Sequence, residues 1–217
     1  MLVGKRMSTP VITIRPDASL EESLNLMRAE RIRRLPVVDN HGKLVGIVSD
    51  RQLLAASPSE ATTLSVYEIR ELMNKVKIET IMTTNVFTIT ANTPIEEAAR
   101  IMADKKIGGM PVVEKDKIVG IITESDIFKV FLELLGAREK GTRLTVETKD
   151  APGLFAKISK AIFEAGGNII ALGTFLGETS GVSEITIKVN GIDKATLLRV
   201  VNPYIVSVVD VRETNPM

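Results

Sequence analysis

The sequence lacks the residue types on which several classes of protein depend. It has no cysteine and one histidine, which excludes disulfides, thiolate metal sites and cysteine nucleophiles and disfavours a histidine-rich zinc site or a Ser-His-Asp triad. The histidine, His41, lies in the turn composition Asn40-His41-Gly42-Lys43, where we expect it in solvent. Most of the usual machinery for hydrolysis is therefore missing.

A charge excess and long apolar runs are also missing. Lys+Arg 28 against Asp+Glu 27 leaves a net charge of +1, which gives no reason to expect nucleic acid or an anionic membrane as partner. The apolar runs are too short to cross a bilayer, and the first residues do not resemble a secretory signal. We therefore expect a cytoplasmic protein. Its 217 residues, 44% of them hydrophobic, fit one large domain or two to three small ones.

One internal repeat occupies the first 135 residues. Met7-Ser-Thr-Pro-Val-Ile-Thr-Ile matches Met82-Thr-Thr-Asn-Val-Phe-Thr-Ile at an offset of 75, and the same offset pairs the two Pro-Val-Val segments. One residue is then lost in a turn, so that Gly46-Ile-Val-Ser matches Gly120-Ile-Ile-Thr. Each copy predicts strand, helix, strand, turn, strand and helix.

Local patterns predict where these elements begin. Val11 to Ile14 alternates as a strand does. Ser19 with Glu22 forms a capping-box pattern, and Thr93-Pro94-Ile95-Glu96 repeats it with proline at the first helical position.

A polar linker, Ala56 to Thr63, separates the copies. It precedes a helical stripe that we expect to cover the core of the paired copies, with a partner chain as the alternative; the stripe contains Val66, Ile69, Leu72, Met73 and Val76.

The repeated pattern Met-Thr-x-x-hydrophobic-x-Thr-hydrophobic, then Pro-Val-Val, then Gly-Ile-[IV]-[ST], resembles the CBS domain. Two copies resemble a CBS pair, or Bateman module, with repeat 1 over residues 1–56, a linker with a helix over 57–77, and repeat 2 over 78–135. The resemblance implies tandem repeats packed about a pseudo-two-fold axis, with two clefts that often bind adenosine-containing ligands. AMP, ADP, ATP and S-adenosylmethionine are the ligands we expect.

The second repeat carries the stronger nucleotide motif. Asp126, at the start of a helix, can accept hydrogen bonds from both ribose hydroxyls, while Thr123 and the helix N-terminus favour a phosphate. Ile107 and Met110, beside two glycines, suit a flat slot for adenine. The predicted site contains Val86, Ile107, Gly109, Met110, Pro111, Thr123, Ser125 and Asp126. The alternative is that Thr123 and Ser125 only cap the helix and Asp126 satisfies its dipole.

The first repeat departs from this motif. Gln52 stands where the second copy has Asp126, and an amide is a poorer double acceptor for ribose hydroxyls. We therefore rank a second cleft at Val11, Ser49, Arg51 and Gln52 after the one that contains Thr123 and Asp126. A basic cluster precedes Leu35, and Arg33 and Arg34 in it have two open interpretations: solvated residues beyond a helix end, or cations that neutralise ligand phosphates.

The C-terminal third follows a linker at residues 136–141. Residues 142–217 predict the order βαββαβ of a ferredoxin-like domain, so the fold class is α/β (α+β). We expect the tail from Glu213 to Met217 to be disordered.

Asp-x-Pro-Gly-Leu-x-x-x-Ile, followed by Gly-x-Asn-Ile, resembles an ACT domain. The family implies a small effector, commonly an amino acid, held at an interface between two such domains by Asp150, Gly153 and Leu154, with Asn168 and Ile169 opposite. The alternative gives these residues structural roles: Asp150 caps the helix, Gly153 allows close packing and Asn168 occupies a left-handed turn.

The domain order is most similar to that of acetoin-utilisation AcuB-type proteins, which implies a regulatory role in carbon or energy metabolism. We expect a non-enzymatic sensor without a metal site, acting as a homodimer on an unknown target protein. A ligand-independent scaffold is the alternative, and a small-molecule hydrolase is the weakest one.

Overall fold

The computed structural model describes residues 1–58, 63–176 and 181–215, with the backbone alone for Leu176. The chain forms two compact units, Met1–Ile127 and Phe128–Met217. The division falls within the helix Glu124–Leu134, whereas the sequence places a linker at 136–141. The predicted domain boundaries stay a prediction. No helix in the described part of the chain is both long and apolar enough to span a membrane.

The first unit contains the duplicated part of the chain. Each repeat has a helix, an antiparallel two-stranded hairpin and a second helix that begins directly after the hairpin. In the first repeat these are α1 (Leu20–Glu30), β1 (Arg34–Val38), β2 (Leu44–Ser49) and α2 (Asp50–Ala56), and in the second α4 (Ile95–Lys105), β3 (Gly109–Glu114), β4 (Lys117–Thr123) and α5 (Glu124–Leu134). Helix α3 (Val66–Lys75) lies between the repeats.

Capping residues fix where the helices start. Ser19 and Glu22 form the predicted capping box at α1, and Ser49 with Gln52 and Ser65 with Glu68 form boxes at α2 and α3. The box predicted at Thr93 is wrong. Pro94 is the N-cap of α4, and the Thr93 hydroxyl instead accepts a hydrogen bond from the Thr90 N–H at 3.2 Å.

The strand predicted at Val11 to Ile14 is reduced to a single parallel bridge between Ile14 and Val37. The Ile14 N–H donates to Pro36 O, and its carbonyl accepts from the Val38 N–H. The next hydrogen bond of a parallel ladder would require an N–H from residue 36, which proline lacks. Pro111 limits the Ile89–Val112 bridge of the second repeat in the same way.

The opening segment of each repeat pairs with the hairpin of the other repeat. Ser8 pairs with Ile121, and Thr83 pairs with Ile47, each through two backbone hydrogen bonds of 2.9–3.1 Å. Met7 and Met82 then lie against Gly120 and Gly46, where a Cβ would meet the methionine sulfur. The repeats are therefore interlocked by reciprocal contacts, as the pseudo-symmetric resemblance implies.

Helix α3 covers the core less fully than its apolar stripe predicts. Met73 and Val76 pack against the core of the first repeat, which includes Leu20, Leu24 and Leu53. Val66 is 71% exposed and Leu72 is 43% exposed, which corrects the expectation that the whole stripe is buried. The stripe reaches that core at its C-terminal end, and every residue in the helix keeps some exposure.

The second unit contains the predicted βαββαβ order. After the end of α5 come β5 (Gly141–Lys149), α6 (Leu154–Glu164), β6 (Asn168–Leu176), β7 (Val182–Asn190), α7 (Lys194–Val201) and β8 (Ser207–Thr214). The sheet order is β6-β7-β5-β8 with antiparallel neighbours, which is ferredoxin-like. Its core joins Leu144, Ile187 and Ile185 of the sheet to residues of both helices.

The predicted disorder of the tail is wrong for its first two residues. Glu213 and Thr214 belong to β8 and pair with Thr142 and Gly141. The Thr214 hydroxyl also donates to Gly141 O at 3.0 Å. Residues 216–217 lie outside the described part.

Candidate functional site

Thr123 and Asp126 meet where β4 passes into α5. The N–H and hydroxyl of Thr123 both donate to Oδ2 of Asp126, at 3.0 and 2.7 Å. Asp126 is 6% exposed and lies in the first turn of α5, where the helix dipole favours an anion. The carboxylate is thus oriented by the strand end, as the capping interpretation requires.

Gly108 and Gly109 lie where β3 begins, and β3 pairs with the strand that ends at Thr123. Gly109 pairs with Thr123 in the β3–β4 register, and the Glu124 N–H donates to Gly108 O at 3.1 Å. Without side chains, the two glycines leave a shallow space beside the start of α5.

Arg34, from the first repeat, fills that space. A Cβ at Gly108 would overlap the Arg34 guanidinium and approach a carboxylate oxygen of Glu124 to 2.8 Å. A Cβ at Gly109 would lie 3.3 Å from Arg34 Cδ and 3.3 Å from Thr123 Cγ2. The slot that we expected for adenine is therefore occupied by an arginine side chain. We call this group, Arg34, Gly108, Gly109, Thr123, Glu124 and Asp126, the Asp126 cleft.

The other predicted nucleotide-site residues differ in how they lie. Met110 is fully buried, so its side chain belongs to the core and the prediction that it lines an adenine slot is corrected; Pro111 is buried beside it. Ile107 and Val86 are half-buried, and Ser125 is exposed on α5. Arg33 is exposed, and its carbonyl accepts from the Asp50 N–H.

The equivalent place in the first repeat is closed by hydrogen bonds. Gln52 Oε1 accepts from the N–H and the hydroxyl of Ser49, at 3.0 and 2.9 Å. Its Nε2 donates to Thr83 Oγ1 at 3.1 Å and to Ile81 O at 3.4 Å, both in the second repeat. We call Ser49, Gln52, Ile81 and Thr83 the Gln52 cleft. Arg51 is exposed and Val11 is half-buried. Of the four residues predicted for the second cleft, hydrogen bonds therefore join only Ser49 and Gln52.

Sequence reasoning missed Glu124 and Thr83. Glu124 is in the motif Thr123-Glu124-Ser125-Asp126, where only the other three were assigned roles. Thr83 matches Ser8 at the repeat offset, so a hydroxyl recurs at this place in both copies. This recurrence of a hydroxyl residue is the sequence signal from which Thr83 could have been predicted.

The predicted effector residues of the second unit fall in two groups. Asp150, Gly153 and Leu154 lie at the start of α6, beyond the end of β5 where Lys149 pairs with Val182. Asn168 and Ile169 begin β6 and pair with Asn190 and Val189 at the other end of the sheet, so the chain does not bring the two groups together.

Gly153 is the N-cap with φ +79°, and a Cβ there would project into open space within the described part of the chain. The left-handed backbone, and not close packing, is therefore what requires glycine. Leu154 and Ile169 pack against the same core, while Asp150 and Asn168 are exposed.

Two structural alternatives for these residues are wrong. The cap of α6 has no side-chain hydrogen bond among the described residues, so Asp150 does not cap it; the Asp150 N–H donates to Gly181 O. Asn168 begins β6, and Gly166, with φ +85°, takes the left-handed turn.

Two surface cavities lie away from Thr123, Asp126 and Gly153, although the first is lined by Val189 and Asn190, which pair with Ile169 and Asn168. One of about 450 Å³ is at the opposite end of the sheet, beside Lys140, Ile192 and Glu213, and one of about 390 Å³ is beside Arg15 and Glu22. Neither cavity is lined by Thr123, Asp126 or Gly153. Among the residues that the structure describes, His, Asp and Glu do not form a group of three that could hold a metal ion.

The CBS domain model matches residues 3–59 and 76–133, more than half of the chain. The chain belongs to the CBS domain family. A model of the TTHA0829-like ACT domain matches residues 140–212, so an ACT domain follows the CBS pair. Both matches agree with the resemblances and with the fold.

The relatives that match the CBS pair differ in how much of their own length the match covers. A CBS domain-containing protein of Dictyostelium discoideum is 36% identical over 62% of this chain and 94% of its own length. Inosine-5'-monophosphate dehydrogenase of Methanocaldococcus jannaschii is 34% identical over 75% of this chain, but the chain spans only 30% of that enzyme.

Solved structures match the CBS pair as well. The CBS pair of protein MJ0100, in complex with 5'-methylthioadenosine and S-adenosyl-L-methionine, is 35% identical with a TM-score of 0.51, covering 60% of this chain and 95% of that one. A putative acetoin utilization protein (AcuB) of Vibrio cholerae is 35% identical with a TM-score of 0.52 over 64% and 98% of the two chains. CBSX2 in complex with AMP is 27% identical with a TM-score of 0.52 over 61% and 97%.

Proposed function

We propose that this CBS–ACT protein is a non-enzymatic regulatory sensor that binds an adenine nucleotide in the Asp126 cleft. The observation that carries the proposal is the meeting of Thr123 and Asp126, at a helix N-terminus, with an arginine from the other repeat. The adenosine ligands of MJ0100 and CBSX2 support the ligand class.

Each group has a role that its chemistry suits. Asp126 accepts hydrogen bonds from ribose hydroxyls, because an ionised carboxylate is an acceptor only. Thr123 orients that carboxylate, and the start of α5 favours a phosphate through its dipole and its N–H groups. Ile107, Val86 and the backbone of Gly109 to Pro111 border the base.

Arg34 neutralises the ligand phosphates in this scheme. Its guanidinium lies beside the Glu124 carboxylate, so a phosphate competes with Glu124 for the same cation. Arg34 must move away from Gly108 when a ligand enters. Ligand binding thereby changes a contact that joins the two repeats, which is the kind of differential contact that a regulatory ligand needs. Arg33 and Ser125, both exposed, contribute at the rim.

The ACT domain supplies the second input. A small effector with a carboxylate, such as an amino acid, is held at the start of α6 near Asp150, Gly153 and Leu154. Asn168 and Ile169 lie at the other end of the sheet, so they reach such an effector only across an interface between two ACT domains. The chain acts as a cytoplasmic homodimer on a target protein, as the family resemblance implies. Sedimentation of the samples used below, with and without ligand, tests the expected mass of two chains.

Calorimetry against AMP, ADP, ATP and S-adenosylmethionine tests the nucleotide site. We expect at least one ligand to bind in the micromolar range, about 8 kcal/mol. Asp126→Asn, which keeps the shape of the side chain but adds a donor, should weaken binding at least tenfold. Asp104→Asn, at an exposed residue of α4, is the matched control and should bind like the parent chain.

A protein that gives no heat and no thermal shift with any of the four ligands would contradict the nucleotide site. Equal affinity of Asp126→Asn and Asp104→Asn would contradict the assignment of Asp126. The closure of the Gln52 cleft favours a second candidate function, a ligand-independent dimerising scaffold, and the absence of binding by all four ligands would support it.

A further inference from the structure

The two repeats are equivalent in backbone but differ at one decisive side chain. In both, the opening segment of the other repeat lies along the second hairpin strand and presents a hydroxyl residue there, Thr83 in one case and Ser8 in the other. In both, a methionine covers the strand glycine. At the N3 position of the following helix, the first repeat has Gln52 and the second has Asp126.

Gln52 and Asp126 accept equivalent hydrogen bonds within their own repeats. Each accepts two hydrogen bonds from the hydroxyl residue at the end of the strand, Ser49 or Thr123, over 2.7–3.0 Å. The local cap of the helix is therefore satisfied by either side chain.

The amide has a donor that a carboxylate lacks. Gln52 uses that donor on Thr83 Oγ1 and Ile81 O, which are 31 and 29 residues away and belong to the second repeat. The side chain thus spans the place where, in the other cleft, the ribose hydroxyls would meet a carboxylate.

We propose that Gln52 is a built-in clamp that closes the first cleft and ties the two repeats together, so that the pair takes one adenine nucleotide per chain instead of two. The number of ligands rests on the proposed function, whereas the clamp itself does not. Its two consequences are therefore measured separately.

The ligand-independent consequence is a coupling between Gln52 and Thr83. Gln52→Glu keeps the length of the side chain and gives Ser49 the acid that commonly completes a capping box, but removes the donor. Thr83→Val removes the acceptor with little change of shape. In thermal unfolding we expect each change to lower the midpoint by about 2–5 °C, and the second to add almost nothing in the background of the first. Glu68→Gln, the reverse exchange in the exposed box of α3, is the control and should leave the midpoint unchanged.

Additive effects of the two changes, or no effect of Gln52→Glu, would overturn the clamp. A chain that binds no nucleotide would end the proposed function but leave this result valid, since unfolding is measured without ligand.

The ligand-dependent consequence is the number of AMP molecules bound at saturation. We expect one per chain for the parent, clearly less than one for Asp126→Asn at the same concentration, and two for Gln52→Asp, in which a shorter carboxylate replaces the clamp. A parent chain that binds two would overturn the closure of the first cleft while supporting the nucleotide sensor. A Gln52→Asp chain that still binds one would overturn the assignment of that closure to Gln52.

Discussion

Lys188 is a buried lysine in the second unit, with 4% of its surface exposed. Its ammonium donates to Gly136 O at 2.7 Å. Gly136, with φ +56°, ends α5 in a Schellman arrangement, in which the N–H of Ala137 donates back to Leu132 O. The lysine therefore supplies a positive charge to carbonyls at the C-terminal end of a helix, where a cation is favourable.

Replacing this lysine should cost more than replacing an exposed one. Lys188→Met keeps the apolar stem but leaves Gly136 O without its charged donor, and a buried group that loses its partner costs about 1–3 kcal/mol. Lys160→Met, at 73% exposure, removes a surface pair with Glu164 and should cost less than about 0.5 kcal/mol. Urea unfolding of the two variants measures both values. Equal midpoints would contradict the role assigned to Lys188.

Residue-level prediction succeeded where the partner is close in sequence. The Ser19–Glu22 box and the substitution at Gln52 are visible from spacing and from the repeat offset. Arg34 over Gly108 and Gln52 against Thr83 were not predicted, because each pair comes together only when the repeats interlock. Local patterns identify a cap, but not the group that reaches across to it.

Helix α3 is attached to the first repeat mainly by polar contacts. The Ser19 hydroxyl donates to Asn74 Oδ1 at 3.1 Å, and Asn74 Nδ2 donates to Glu21 Oε2 at 2.7 Å. The Leu20 N–H also donates to Val76 O. Since few apolar side chains of α3 are covered, these bonds contribute a large share of what holds the helix.

Asn74→Ala should loosen α3 without unfolding the repeats. It removes both side-chain bonds, at about 1 kcal/mol each, while Ser19 still caps α1 through Glu22. Amide hydrogen exchange should quicken across Val66–Lys75, and the strands β1 and β2 should keep their protection. Glu71→Ala, which removes only the exposed pair with Lys75, is the control. Unchanged exchange in α3 of the Asn74 variant would show that Met73 and Val76 alone hold it.

Element prediction failed mainly at single-residue constraints. The order of elements follows from apolar periodicity and was found in both units. The strand at Val11 to Ile14 was lost to a proline on the neighbouring strand, and the ordered Glu213 and Thr214 depend on a partner strand about 70 residues earlier. Neither constraint is present in the segment whose structure it decides.

Across the whole molecule, ionised carboxylates are stabilised in both units. Hydrogen bonds from the Lys43 N–H and from Arg100 lower the pKa values of Asp39 and Glu97 in the first unit. In the second, hydrogen bonds from the Thr196 N–H and from Arg212 lower the pKa values of Asp193 and Asp210, with Arg143 adding to the latter.

A lowered pKa in the folded state means that the unfolded chain binds protons more readily. The stability from these groups is therefore complete above the unfolded carboxyl pKa values and is lost as pH falls through the lower folded ones. We expect the melting temperature to be steady near neutrality and to fall between about pH 5 and pH 2. Asp210→Asn should lower the midpoint of the ACT unit at neutral pH and flatten its acid dependence, because the charge shared by Arg143 and Arg212 is gone. Scanning calorimetry over this range measures both effects. An unchanged acid slope in the variant would show that solvent already screens the pairs around Asp210, and that the other carboxylates carry the acid sensitivity.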